Sequence, residues 1–156
     1  MKVLLVKPIS DMHVILPPIG LGYLASYCQR EISDIDLRIL DCHRERYTKE
    51  RFKRYVIELE PDVIGFTAFS MEIDSALGFA SIAKQAVKKV TIVIGGPHAS
   101  AVPKSVLSNM SVDYVFTGEA EKGFSYFLKN FSSSDRLNAP GLGYRNGKDI
   151  ILNEPE

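Results

Sequence analysis

The sequence predicts an α/β protein with a Rossmann-like, flavodoxin-like fold, a three-layer sandwich built on a five-stranded parallel sheet. Three observations carry this. Short apolar runs alternate five times with segments whose apolar residues recur at helical spacing. The runs are nearly continuous, as strands buried on both faces are. The stretches that end them hold Gly, Pro, Ser or Asp, and the one at Gly95-Gly96-Pro97 is the most abrupt. Strand–helix–strand crossovers are right-handed, and the flavodoxin-like strand order 2-1-3-4-5 is the one expected. Ligands of such sheets sit outside the carboxyl ends of the strands, near the switch point between strands one and three.

The elements follow in order. Lys2–Val6 is the first strand, and 8–18 is a loop longer than most α/β connections. Leu21, Leu24, Ala25 and Cys28 lie at i, i+3, i+4, i+7 and define a helix. Leu37–Leu40 is the second strand. Phe52, Tyr55, Val56 and Leu59 mark a helix that Pro61 stops. Asp62–Phe66 is the third strand, followed by Thr67-Ala68-Phe69-Ser70 and a helix carrying Ile73, Leu77, Ala80, Ala83 and Val87. Thr91–Ile94 is the fourth strand, 95–100 a loop, and Pro103 opens a short helix through Met110. Val112–Phe116 is the fifth strand. Phe124, Phe127, Leu128 and Phe131 form the last amphipathic helix. A polar loop spans 132–138, and Asn146-Gly147 between strand-like runs signals a C-terminal β-hairpin. Residues 1–131 are read as one domain and 132–156 as a linker and hairpin leading elsewhere.

Composition narrows the function. The chain has 156 residues, 46% of them hydrophobic, enough for a packed core. Lysines and arginines number 19, as do aspartates and glutamates, so the basic excess of a nucleic-acid binder is missing. Two cysteines, Cys28 and Cys42, without CxxC spacing fit neither a disulfide framework nor a thiolate metal site, and a reducing cytoplasm is expected. The opening MKVLLVKP is too short for a signal peptide or a membrane span, so no membrane partner is expected.

Residues with chemical potential gather at the predicted ligand edge, each with a plainer reading beside it. Gly95 and Gly96 let a ligand approach the backbone closely, or simply turn the chain. Thr67 and Ser70 are hydroxyl partners for a ligand, although Ser70 before an apolar-periodic segment reads better as a helix cap. Glu119 and Glu121 flank a helix start, where the dipole favours carboxylates. His13 and His98 lie in loops at this edge, and His43 in the charged turn CHRER. No nucleophile has a base at a recognisable spacing. Gly20-Leu21-Gly22 lacks the third glycine of a dinucleotide fingerprint. Thr67 stands where a receiver domain needs an acidic phosphoacceptor, and ISDMHVILPP is no flavodoxin phosphate loop.

In order along the chain, KVLLVKP, PPIGLGYLASY, PDVIGFTAFS, VIGGPHAS, VDYVFTGEAE and GLGYRNGK resemble the N-terminal cobalamin-binding domain of cobalamin-dependent radical SAM proteins. The match covers nearly the whole chain. It implies a domain that holds cobalamin (vitamin B12) across the carboxyl ends of the strands, with the nucleotide tail running between sheet and helices. The residues it implies as cofactor-binding are Pro18 and Gly20, then Thr67, Ala68, Phe69 and Ser70, then Gly95, Gly96, Pro97 and His98, and finally Gly118 and Glu119. A downstream barrel in the family binds S-adenosylmethionine and a [4Fe–4S] cluster on CxxxCxxC. This chain has no such motif and stops at NEPE, about where the family's linker begins, so it is expected to be a truncated module without catalysis of its own.

Other cobalamin proteins carry DxHxxG after strand one, its histidine ligating cobalt. Asp11-Met12-His13 supplies D-x-H, but Leu16 replaces the glycine. His13 is thus a candidate cobalt ligand, and the preferred alternative is an apolar lower face formed by Val14-Ile15-Leu16. The leading expectation is a module presenting cobalamin to a radical SAM domain in cis for methyl transfer or anaerobic ring formation. The alternatives are an interaction module of the same fold without cobalamin, and a flavin- or nucleotide-binding domain.

Overall fold

The computed structural model describes residues 1–10 and 17–155. Strands β1 (Lys2–Lys7), β2 (Asp36–Asp41), β3 (Val63–Thr67), β4 (Thr91–Gly95) and β5 (Tyr114–Phe116) run parallel in the order 2-1-3-4-5. Helices α1 (Ile19–Glu31), α2 (Lys49–Leu59), α3 (Ile73–Ala86), α4 (Pro97–Ala101), α5 (Pro103–Leu107) and α6 (Glu121–Lys129) cover the two faces. Side chains of a strand alternate between faces, so each strand feeds two cores. Leu4, Val6, Ile64, Phe66, Ile92 and Ile94 pack toward α2, α3 and α5, where the Phe52 and Phe79 rings stand 4.7 Å apart. Val3, Leu5, Val63, Val93 and Phe116 face α1 and α6. Of the described residues, no helix is long and apolar enough to cross a membrane.

The sheet differs from the expected five strands in one respect. The hairpin β6 (Leu142–Asn146) and β7 (Asp149–Leu152) adds to β5 in antiparallel sense and makes the sheet seven-stranded. The reason lies in β5, three residues long, whose outer edge would otherwise leave backbone donors and acceptors unpaired. Gly143 pairs with Val115, and a Cβ there would stand 2.6 Å from both Val115 Cγ2 and Leu152 Cδ2, so only glycine fits. Asn153 fastens the hairpin, its side-chain amide donating to the carbonyls of Leu137 and Ala139.

Two local expectations change. Residues 97–101, expected within a loop, form the helical turn α4, for which Pro97 at the first position is pre-set. The helix from Pro103 ends at Leu107 rather than Met110, because Ser108 and Asn109 close it with turn hydrogen bonds to Ser105 and Val106. At the far end of the sheet, Asp113 accepts the amide of Ile92 at 2.7 Å and pairs with Lys84 at 2.5 Å, fixing where β4 and β5 begin.

Candidate functional site

The site is built where Leu5, Gly65 and Val93 stand side by side in register, facing α1 and α6. Gly65 has no side chain, so the space its neighbours cannot fill becomes a channel of about 140 Å³. Leu21 and Leu24 of α1, Phe116 of β5 and Phe124 of α6 complete its apolar lining. A Cβ on Gly65 would lie 3.0 Å from Leu5 Cδ2 and 3.8 Å from Phe124 Cζ. Gly20, Leu21, Thr67, Gly96, Gly118 and Glu119 line both this channel and a wider mouth of about 530 Å³ at the carboxyl ends of the strands. The mouth is also bordered by Lys7, Phe69, Glu72, Pro97 and Ser100. Ile19 and Phe69 stay 64% and 53% exposed there as an apolar border.

Three loops form this rim and are tied to one another. Gly96 has φ +90°, and a Cβ would stand 2.7 Å from Thr67 Oγ1 and 3.1 Å from the Ala68 nitrogen. Glycine is therefore required at 96 by its own backbone and by the loop beside it. The Ala68 amide donates to Gly95, the His98 amide donates to Ala68, and His98 Nδ1 lies 3.0 Å from Ser70 Oγ. Ser100 links to the third loop: its hydroxyl donates to the Gly96 carbonyl at 3.1 Å and accepts the Gly118 amide at 3.0 Å. Glu72, only 2% exposed, accepts the Phe69 amide on Oε2 at 3.1 Å, while its own amide donates to the Phe69 carbonyl.

Of the residues singled out in the sequence, Pro18, Gly20, Thr67, Phe69, Gly95, Gly96, Pro97, Gly118 and Glu119 line the channel or the mouth. Ala68, Ser70 and His98 do not; they stitch the second loop to the third strand's neighbour from behind. Ser70 is no helix cap, because α3 begins at Ile73 and Glu72 occupies the N-cap position. Glu121 opens α6, as the dipole argument expects. His13, with Asp11 and Leu16, lies outside the described residues. His43 Nδ1 accepts the Ser10 amide at 3.4 Å, a structural position. Sequence reasoning missed Gly65, Glu72 and Ser100. Gly65 left a signal, a glycine interrupting the apolar run VIGF.

Among the described residues no cluster of three His, Cys, Asp or Glu is placed to hold a metal ion. Burial pushes the Cys28 and Cys42 thiols up to about 12, so both are inert at neutral pH. What the site offers is a fixed polar rim, an apolar border and a narrow greasy channel. It stands at the carboxyl ends of the strands, where doubly wound sheets bind their ligands.

Residues 7–128 match the B12 binding domain family, and the chain belongs to that family. It is 33% identical to an uncharacterised methyltransferase of Pyrococcus horikoshii, over 99% of this chain and 35% of the relative. It is 28% identical to cytidylyl-2-hydroxyethylphosphonate methyltransferase of Streptomyces wedmorensis, over 99% of this chain and 33% of that enzyme. The chain thus spans about a third of the length of these relatives. The radical S-adenosylmethionine methyltransferase TsrM of Kitasatospora setae, solved with cobalamin and a [4Fe–4S] cluster bound, superimposes with a TM-score of 0.85 at 20% identity, over 99% of this chain and 29% of TsrM. The fold is therefore the Rossmann-like B12-binding one, and its cofactor is cobalamin.

Proposed function

We propose that the groove holds cobalamin with its ring at the mouth and its nucleotide arm in the channel, and presents it to a radical SAM domain in cis that transfers methyl groups. The observation that carries this reading is the channel at Gly65. A channel of about 140 Å³ excludes a tetrapyrrole ring, which must remain at the mouth, and at roughly the volume that holds one benzene it takes the end of a slender arm. The proposed binding residues are Pro18, Gly20, Thr67, Phe69, Gly95, Gly96, Pro97, Gly118 and Glu119, with Ala68, Ser70 and His98 supporting the loops behind them. Ile19 and Phe69 offer apolar contact, and Thr67 offers a hydroxyl. When bound, cobalamin supplies a cobalt centre that carries a methyl group or an electron. The residues of this chain bind it, orient it and keep water from its arm. His13 as a cobalt ligand remains part of the proposal only as the less favoured arrangement beside an apolar Val14-Ile15-Leu16.

The [4Fe–4S] cluster and S-adenosylmethionine belong to the second domain in this reading. Residues 1–131 carry the site, and 132–156 form the connection. Supporting this, the segment after β7 returns to the rim: the Gly141 amide donates to the Glu154 carbonyl, and Pro155 Cβ would lie 3.3 Å from a Cβ on Gly118. Methyl transfer is preferred over ring formation because the relatives matched over 99% of this chain are methyltransferases, whereas two anaerobic magnesium-protoporphyrin IX monomethyl ester cyclases match 86% and 68% of it. The buried, unpaired thiols accord with action in a reducing cytoplasm. Titration with hydroxocobalamin, flavin mononucleotide and NAD, followed by absorbance and calorimetry, tests the assignment. Saturable binding of the corrinoid alone is expected; preference for either nucleotide, or for none of the three, would overturn it.

A further inference from the structure

We infer that Glu72 sets the corrinoid specificity of this site, accepting from the amide-bearing edge of the ring and rejecting corrinoids in which an amide has become a carboxylate. The inference rests on the proposed cobalamin reading. If the channel takes only the arm, the ring edge must meet the mouth, and that edge carries primary carboxamides. Each is a neutral donor of two N–H groups.

The mouth is unusual in what it presents to such a ligand. Its charged lining among the described residues is Lys7, Glu72 and Glu119, a formal sum of −1. Glu119 is exposed, so water and salt weaken its field. Glu72 is 2% exposed and held in place: its amide donates to Phe69, its Oε2 accepts from Phe69, and its carbonyl accepts from Ala76 in α3. A fixed, buried carboxylate acts at a lower effective dielectric than an exposed one, so it repels a second carboxylate more strongly than Glu119 does, with the buried Lys7 of the same lining offsetting part of that field. An amide facing it gains a charge-assisted hydrogen bond instead. Glu72 stands at the N-cap position of α3 without a side-chain cap bond, and holding the Phe69 amide requires only a side-chain oxygen, which glutamine provides. Selection against carboxylates requires the charge. The two roles therefore separate by a single substitution.

The probes are cyanocobalamin and its b-, d- and e-monocarboxylic acids, the products of hydrolysing one propionamide each. Dissociation constants are measured for the wild-type protein, Glu72→Gln and Glu119→Gln, with melting temperature as a fold control. The wild type should bind at least one monoacid about tenfold or more weakly than cyanocobalamin. Glu72→Gln should reduce that ratio to within about threefold while the melting temperature stays close to wild type, and Glu119→Gln should preserve it. Equal affinity of the wild type for cyanocobalamin and all three monoacids overturns the inference without reference to any variant. So does an unchanged ratio in folded Glu72→Gln. Failure of the wild type to bind cyanocobalamin at all defeats the cobalamin reading itself, a different outcome from loss of discrimination with binding intact.

Discussion

Gly96 takes φ +90° at the rim of the groove, the conformation that glycine alone adopts without strain. The sequence marks Gly95-Gly96 as a place where missing side chains matter, and ligand approach is the natural explanation. The geometry gives a nearer cause, since a Cβ at 96 would run into Thr67 and Ala68 at a positive φ. Gly96→Val should cost about 1–3 kcal/mol through local strain and displace the rim. A melting temperature lowered by several degrees, together with weaker hydroxocobalamin binding, is the expected result; a variant equal to wild type in both would show that the rim adapts freely. Ser70 and His98 were legible as residues at the ligand edge, but neither the helical turn that holds His98 nor their mutual bond was, since the bond depends on two strands lying adjacent. The buried thiols make a pH prediction. Burial raises the folded pKa of Cys28 and Cys42 from 9.0 to about 12, so folding is favoured fully below pH 9 and loses stability as pH rises toward 12. Cys28→Ala/Cys42→Ala should flatten the alkaline limb of the stability curve, and native protein at pH 8 should resist alkylation that unfolded protein undergoes; rapid labelling of the native state would contradict the burial argument.

At the scale of elements, the strands and their order were legible because buried parallel strands write themselves as short apolar runs closed by turn residues. The hairpin was legible as a hairpin from Asn146-Gly147, while its place beside β5 was not. That place depends on Gly143 against Val115, a contact between segments far apart in sequence. Arg145 secures the same junction: Nη1 donates to the Leu107 carbonyl at 2.5 Å and Nη2 to the Val112 carbonyl at 2.6 Å. It thereby closes the carboxyl end of α5 onto β6. Arg145→Met keeps the aliphatic stem and removes these donors, so a loss of about 1.5–3 kcal/mol is expected in urea unfolding. An unchanged midpoint would mean that water replaces the guanidinium at no cost. The helical turn at 97–101 escaped sequence reasoning because its five residues are too few to show a period.

For the whole molecule, the central claim is that one groove has two compartments, a mouth for a corrin ring and a channel at Gly65 for its nucleotide arm. The claim separates ligands that differ only in the arm. Cobinamide has the ring without the nucleotide, whereas hydroxocobalamin has both. Gly65→Leu places a side chain in the channel while leaving the mouth residues untouched. Equilibrium titration of both corrinoids against wild type and Gly65→Leu, with circular dichroism confirming that the variant is folded, is the most direct measurement. Wild type should bind hydroxocobalamin more tightly than cobinamide. Gly65→Leu should weaken hydroxocobalamin about tenfold or more, with cobinamide changed by less than about threefold. Equal affinity of the wild type for the two corrinoids, or a folded Gly65→Leu variant that still binds hydroxocobalamin like wild type, would contradict it.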